Sequence, residues 1–397
     1  MQAKLRVLFI SDVLIRDLDG ACRTMFKVLD ASSFHQVEFF ILSGSEIPPN
    51  FAGIRIKTMR IPFNANYRIG LFSPFSNKAI NSAIVAFDPD IVHISSPSVL
   101  GGQGVKWAQS KKLPIVTIYH THFQSYMQYY FSKSRWLQKL SNKWVKHFYR
   151  SFYNSCDLIL VPSQQIRAEL RQIGIQSEKL QLWVRGIDNS MFNANKKDDT
   201  YMLKLTGNAK KNIVFASRLV WEKNLQLIIS FYLLLVERNM PFNLVIVGDG
   251  PVKPRLEKEC PQAIFTGNLS HNELSVILAS SDVFIFPSET ETFGNIVLEA
   301  MASGVPVIVA PKGGHLSFVK NNYNGIVLRD NQAIHYLETI EILLNDQKLT
   351  TLFSKNALSS SLHFSWDCIL EEYYKSIAAL YVQAEVEEVF QNSAVLG

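Results

Sequence analysis

The sequence predicts an α/β chain built as two doubly wound parallel-sheet domains. Three observations carry that expectation: the length, ten short apolar runs without polar alternation, and helix-period segments between the runs. A chain of 397 residues is too long for one ordinary hydrophobic core, so two domains are the default. Hydrophobic residues make up 47% and charged residues 19%, a balance that excludes a disordered chain.

In the first half the runs are LRVLFI (5–10), VEFFIL (37–42), DIVHIS (90–95), PIVTIY (114–119) and DLILVP (157–162). In the second half they are NIVFAS (212–217), NLVIVG (243–248), AIFTG (263–267), DVFIFP (282–287) and VPVIVA (305–310). Consecutive β-branched and aromatic residues mark strands buried on both faces, as in a parallel sheet. The helical segments between them complete βαβ units. Residues 185–211 are polar and aperiodic and break the pattern. The linker is therefore expected at 191–211, between an N-terminal domain of 1–190 and a C-terminal domain of 212–365. From about Trp366 to Phe390 the chain is amphipathic and follows no strand. That segment is expected to form a helix that packs back onto the N-terminal domain.

The net charge of +6 is spread out, with no Lys/Arg block of five, which argues against a nucleic-acid partner. It fits phosphate-bearing substrates or contact with an anionic membrane surface. Cys22, Cys156, Cys260 and Cys368 are far apart and form no CxxC pair. A zinc site or disulfide framework is not expected, and a reducing, cytoplasmic setting fits. The N-terminal MQAKLRVLFISD reads as a first strand rather than a signal peptide. The greasiest stretch, LQLIISFYLLLV (225–236), falls short of the roughly 20 apolar residues that span a bilayer.

Doubly wound sheets bind ligands at the carboxyl ends of their strands, so the chemistry should lie in the loops that follow strands. Ser217-Arg218-Leu219-Val220-Trp221-Glu222-Lys223 follows one strand. The two cations Arg218 and Lys223 suit a diphosphate; a solvated pair with Glu222 as partner explains them equally well. A second string, Ser288 to Ala300, follows DVFIFP and contains Glu291, Gly294 and Glu299. Gly294 permits close backbone approach, and the helix after it turns free N–H groups toward the loop. Carboxylates at Glu291 and Glu299 suit sugar and ribose hydroxyls. His120 follows PIVTIY at its carboxyl end, and His120-Thr121-His122 lacks a third ligand for a metal. Arg23 reads either as an acceptor-phosphate contact or as an ordinary helix-surface residue. Asp88-Pro89-Asp90 is better explained as a turn than as a metal motif. Gly101-Gly102-Gln103-Gly104 lacks the full dinucleotide-binding spacing.

On SRLVWEKN, VIVGDGP, FTGNLSHNELS, ASSDVFIFPSETETFGNIVLEAMASGVPVIV and NNYNG, the second half resembles the retaining glycosyltransferases of family four. NYRIGLFSP, FDPDIVHISSPS, YHTHFQSYMQYY and LWVRGIDNSMFN are similar to the branch that includes sulfoquinovosyl-diacylglycerol synthases and related glycolipid or mannosyl transferases. The resemblance covers nearly the whole chain and is weakest over 43–65. It implies the GT-B architecture, two Rossmann-like domains facing across a cleft, with no metal or other cofactor.

By the same resemblance, Arg218 and Lys223 hold the donor diphosphate, and Glu291 and Glu299 end an E-x7-E motif that meets the donor sugar and the nucleotide ribose. Gly294, Asn295 and Ile296 present backbone to sugar and phosphate, and Gly248 has a donor-side position. His120 matches the active-site histidine near the donor sugar. Gly20 matches a glycine-rich loop in which Asp19 replaces the usual second glycine. Arg23, Arg68 and His122 fall on the acceptor side.

The implied activity is transfer of a hexose from a UDP-sugar or GDP-mannose to a lipid or glycan acceptor. An inactive nucleotide-sugar-binding module and a polysaccharide acceptor are the alternatives. The basic-aromatic stretch Tyr126–Tyr153 reads either as a helix lying on an anionic membrane, peripheral on its cytoplasmic face, or as an ordinary core-facing helix.

Overall fold

The structure is a computed structural model, and it describes residues 4–16, 18, 20–61, 64–69, 74–120 and 146–395. The chain divides into two compact units: Met1–Val184 with Ile369–Gly397, and Arg185–Cys368.

The first unit is built on a seven-stranded sheet in the order β3-β2-β1-β6-β7-β8-β9. Its strands are β1 (Leu5–Ser11), β2 (Val37–Ser43), β3 (Ala52–Arg55), β6 (Ile91–Ile94), β7 (Ile115–Ile118), β8 (Leu158–Val161) and β9 (Leu180–Leu182). All neighbours run parallel. A separate antiparallel hairpin pairs β4 (Met59–Ile61) with β5 (Asn64–Ile69). Val7, Leu8, Phe9 and Ile10 are all buried, so β1 is covered on both faces. That double cover makes its sequence a continuous apolar run. Helices begin where a strand-end loop supplies a serine cap: Ser98 accepts from Gly101 N at 2.9 Å and Ser163 from Ile166 N at 3.3 Å.

Two strings set aside at the sequence level have packing roles. Arg6 on β1 ion-pairs with both Asp88 and Asp90 at 2.9 Å, which ties the turn before β6 to its neighbour strand. A Cβ on Gly104 would lie 2.7 Å from Ile10 Cδ1, and one on Gly101 2.2 Å from Ser96 O. These glycines therefore let the helix Val99–Ser110 lie directly on the sheet.

The long helix Trp366–Val395 joins the first unit from Ile369 onward. Trp183 Nε1 donates to Ile369 O at 2.8 Å and Gln181 Nε2 to Ser376 Oγ at 2.7 Å. Tyr374 donates to Val28 O, and His93 on β6 meets the Tyr373 hydroxyl at 2.7 Å in the core.

The second unit holds a six-stranded parallel sheet ordered β12-β11-β10-β13-β14-β15. The strands are β10 (Lys211–Ala216), β11 (Phe242–Val247), β12 (Ile264–Gly267), β13 (Val283–Phe286), β14 (Val307–Val309) and β15 (Ile326–Val327). All ten expected runs are strands. The apolar stretch at 225–236 forms the helix Leu225–Glu237, whose Leu225, Ile228 and Phe231 are buried in this unit.

Residues 191–211 carry more structure than their irregular sequence indicates. They contain a 3-10 turn, Ala194–Lys196, and a helix, Asp199–Thr206, within the second unit. Asp198 caps that helix and left-handed Gly207 ends it. Only Met202 of the helix is buried, so no apolar stripe announces it. Among the described residues, no helix is long and apolar enough to cross a membrane.

Candidate functional site

Four loops at the carboxyl ends of β10, β11, β13 and β14 form the candidate site in the second unit. After β10 the chain makes a 3-10 turn, Trp221–Lys223, and Asn224 adopts a left-handed conformation at φ 58° before the next helix. This turn carries Lys223 inward, and the residue is only 9% exposed. Its ammonium pairs with the Glu291 carboxylate from the loop after β13. Ser288 Oγ donates to the same oxygen, Glu291 Oε1, at 3.2 Å. Glu291 Oε2 makes no hydrogen bond to any described residue, so one oxygen can accept from a ligand. Burial alone would raise the Glu291 carboxyl. The Lys223 charge and the hydrogen bonds from Lys223 and Ser288 outweigh it and hold the carboxyl below the ordinary range.

Arg218 differs from Lys223. Its side chain is 59% exposed, with Nη2 3.4 Å from Glu222 Oε1. An exposed pair of this kind contributes only about 0.2–1 kcal/mol.

The loops after β10 and β11 are knitted together by backbone. Ser217 N donates to Val247 O at 3.1 Å and Leu219 N to Asp249 O at 2.8 Å. A Cβ on Gly248, at φ 121°, would lie 1.9 Å from Ser217 O. Gly248 is thus required for the two loops to touch, whatever else it binds.

After β13, Gly294 at φ 92° reverses the chain into the helix Asn295–Ala302. The first-turn N–H groups of that helix, at Asn295 and Ile296, have no acceptor within the helix. They form an anion-favouring end beside the Lys223–Glu291 pair. Glu299 lies on the same helix, one turn further along.

The loop after β14 is a part of the site that sequence reasoning missed. Gly314 N donates to Glu291 O at 2.8 Å, and His315 is fully buried against Gly294 and Gly313. His315 Nε2 lies 3.0 Å from Ala310 O. A carbonyl only accepts, so Nε2 carries the hydrogen. The available signal was the pair Gly313-Gly314 in the loop that follows the buried strand β14, where doubly wound sheets place binding loops.

The structure thus brings together Arg218, Lys223, Gly248, Glu291, Gly294, Asn295, Ile296 and Glu299 on adjacent loops of one sheet. The remaining predicted residues belong to the first unit. His120 follows β7 by two residues and is half-buried. Gly20 begins the helix Gly20–Asp30, and Arg23 lies in its first turn, half-buried. Arg68 sits on β5 opposite Arg60. Asp19 and His122 lie outside the described residues, as do residues 126–145 of the basic-aromatic stretch.

Two family models match the chain: glycosyl transferases group 1 over residues 203–359 and glycosyltransferase family 4 over residues 27–190. The chain belongs to the family-four glycosyltransferases. The match to the first model includes every second-unit residue of the candidate site. This glycosyltransferase is 28% identical to a GDP-mannose-dependent alpha-mannosyltransferase of Corynebacterium glutamicum, over 95% of its own length and 90% of that protein. It is 33% identical to the sulfoquinovosyl transferase SQD2 of Arabidopsis thaliana, over 81% of its length and 62% of SQD2. Among solved structures, sucrose-phosphate synthase from Thermosynechococcus elongatus aligns with a TM-score of 0.76 at 18% identity, covering 96% of this chain and all of that one. Such a likeness shows the fold, and the glycosyltransferase has the GT-B fold class of two Rossmann-like parallel-sheet domains.

Proposed function

We propose that this glycosyltransferase moves a hexose from a nucleotide-diphosphate sugar to a hydroxyl of a membrane glycolipid or lipid-linked acceptor, with retention at the anomeric carbon and without a metal. The observation that carries this reading is the buried Lys223–Glu291 pair beside the amino end of the helix Asn295–Ala302. Glu291 Oε2 is available to accept from a sugar hydroxyl. Lys223 has three N–H donors and gives one to Glu291, so it can also reach a phosphate oxygen.

Breaking the anomeric C–O bond leaves negative charge on the diphosphate. Lys223, Arg218 and the first-turn amides of Asn295 and Ile296 stabilise that charge without reorganising. The leaving phosphate takes the acceptor proton as the acceptor attacks from the same face. Glu299 on the nucleotide ribose, Gly248 on the donor, and His120 and Gly20 of the first unit belong to the same reading. So does an acceptor role for Arg23, Arg68 and His122.

The relatives support the substrate class: one is a GDP-mannose-dependent mannosyltransferase, one a sulfoquinovosyl transferase, and an alpha-monoglucosyldiacylglycerol synthase of Streptococcus pneumoniae is 26% identical over 76% of the chain. Both UDP-sugars and GDP-mannose are candidate donors. The protein would work at the cytoplasmic face of a membrane.

A panel of UDP-sugars and GDP-mannose, scored for nucleotide release with and without diacylglycerol-containing vesicles, tests this. Lipid-dependent release that Glu291→Ala lowers by about 10²–10³-fold is expected. Release unchanged in that variant refutes the role of Glu291, and release requiring only a soluble glycan refutes the lipid acceptor.

A further inference from the structure

We propose that His315 is a positioning residue for Glu291, holding both ends of the segment Ser288–Gly294 so that the carboxylate meets Lys223. This rests on the reading of Glu291 as the donor-sugar contact.

His315 meets the segment directly at its far end and reaches its near end through Gly313. At the far end, a Cβ on Gly294 would stand 3.1 Å from His315 Cβ, so the left-handed turn at Gly294 rests directly on the histidine. At the near end, the ring lies under Gly313: a Cβ there would be 2.7 Å from Nδ1 and 3.4 Å from Ser288 O. Ser288 in turn donates to Glu291 Oε1 at 3.2 Å. Between the two ends, Gly314 N holds the Glu291 carbonyl at 2.8 Å. The ring itself is anchored outside the segment, through Nε2 to Ala310 O at 3.0 Å and edge-on to Phe286 at 6.1 Å between centroids. Ala310 N donates to Phe286 O at 3.0 Å, so the anchor is the sheet itself.

Packing alone does not account for a histidine here. An aliphatic residue would fill the space, whereas His315 leaves Nδ1 buried with no partner among the described residues. The ring is neutral: burial lowers its pKa more than Ala310, Glu291 and Glu289 raise it. Neutrality matters to the arrangement. A cation there would compete with Lys223 for Glu291, while Glu289 is occupied by Asn331 at 3.0 Å and faces Lys312 at 3.9 Å. The neutral ring with its hydrogen on Nε2 thus supplies one directed bond to the sheet and leaves the carboxylate to the lysine.

The test compares His315→Gln, His315→Asn and His315→Leu, each in the full chain and in the Glu291→Ala background. Glutamine places an amide N–H where Nε2 lies and can keep the bond to Ala310; asparagine is too short, and leucine has no donor. His315→Gln is expected to hold kcat within 3-fold, while Asn and Leu lower kcat by 10-fold or more with KM changed less. In the Glu291→Ala background the same changes are expected to cost less than 2-fold, since the residue they position is gone. Equal losses in both backgrounds, a glutamine as poor as leucine, or a leucine without effect would each overturn the proposal. A separate readout covers variants that fail to fold: ¹⁵N NMR of the wild-type imidazole is expected to show a neutral ring protonated on Nε2, and a proton on Nδ1 overturns the anchor. If the wild type transfers no sugar from any donor, the proposed function fails, and the NMR result still judges the anchor by itself.

Discussion

Replacing Glu291 with Gln leaves the Lys223 ammonium buried beside a neutral amide. Removing one partner of a buried ion pair costs about 3–5 kcal/mol. Here the two side chains are 11% and 18% exposed, so some water reaches them and the lower end, about 3 kcal/mol, is expected. For a unit of this size, about 1 kcal/mol moves Tm by roughly 2–4 °C. The second-unit transition should therefore fall by roughly 6–12 °C. The double variant Lys223→Met with Glu291→Gln removes both charges and should recover most of that loss, because a neutral pair of similar volume is tolerated. Activity should not recover with it, since on the proposed reading the sugar contact and the buried leaving-group cation are both lost and only the exposed Arg218 remains. The folded Glu291 carboxyl lies below its ordinary value, so its stabilisation is present above the unfolded value of 4.5 and is lost as pH falls through the folded one. The gap between wild type and Glu291→Gln should accordingly shrink below about pH 4.5. Differential scanning calorimetry across pH, with nucleotide release alongside, measures all of this. A single variant that melts within about 2 °C of wild type, or a double variant that melts as low as the two losses summed, would refute the buried-pair reasoning.

Three further outcomes are expected. Burial lowers His93 to about 3, so the fold binds fewer protons than the unfolded chain; stability is full above pH 6.5 and falls by about 2 kcal/mol at pH 5, and His93→Phe should flatten the acid limb of Tm against pH. Gly314→Ala puts a Cβ 2.2 Å from Thr292 O, so the loop must shift away from Glu291, and kcat/KM should fall by about 10-fold or more while the first-unit transition keeps its Tm. Trp183→Phe removes the bond to Ile369 O at a cost of about 1 kcal/mol, and limited proteolysis should then release the C-terminal helix faster than in wild type.

How much of this was legible in the sequence depended on burial. Strands covered on both faces are written as unbroken apolar residues, so runs such as LRVLFI and DVFIFP could be read directly. So could the loops after them, since a parallel sheet puts its binding loops at strand ends. Three of the four edge strands of the two large sheets were not legible: β3 (AGIR), β9 (LQL) and β15 (IV) are short and partly exposed, and carry no run long enough to read. The helix Asp199–Thr206 buries one residue and gave no stripe.

The candidate site divides in the same way. The string from Ser288 to Ala300 announced Glu291, Gly294 and Glu299 by residue type and order. Only the tertiary structure decided that Lys223 spends its charge on Glu291 while Arg218 stays exposed, because that choice depends on which loop is drawn beneath which. It alone placed His315 under Gly294, and it alone showed that Gly101, Gly104 and Gly248 are small for the sake of neighbouring backbone and side chains. Periodicity and residue type record how deeply a segment is buried; which side chains meet across loops far apart in the chain is decided by sheet order and loop crossing, which one-dimensional spacing does not carry.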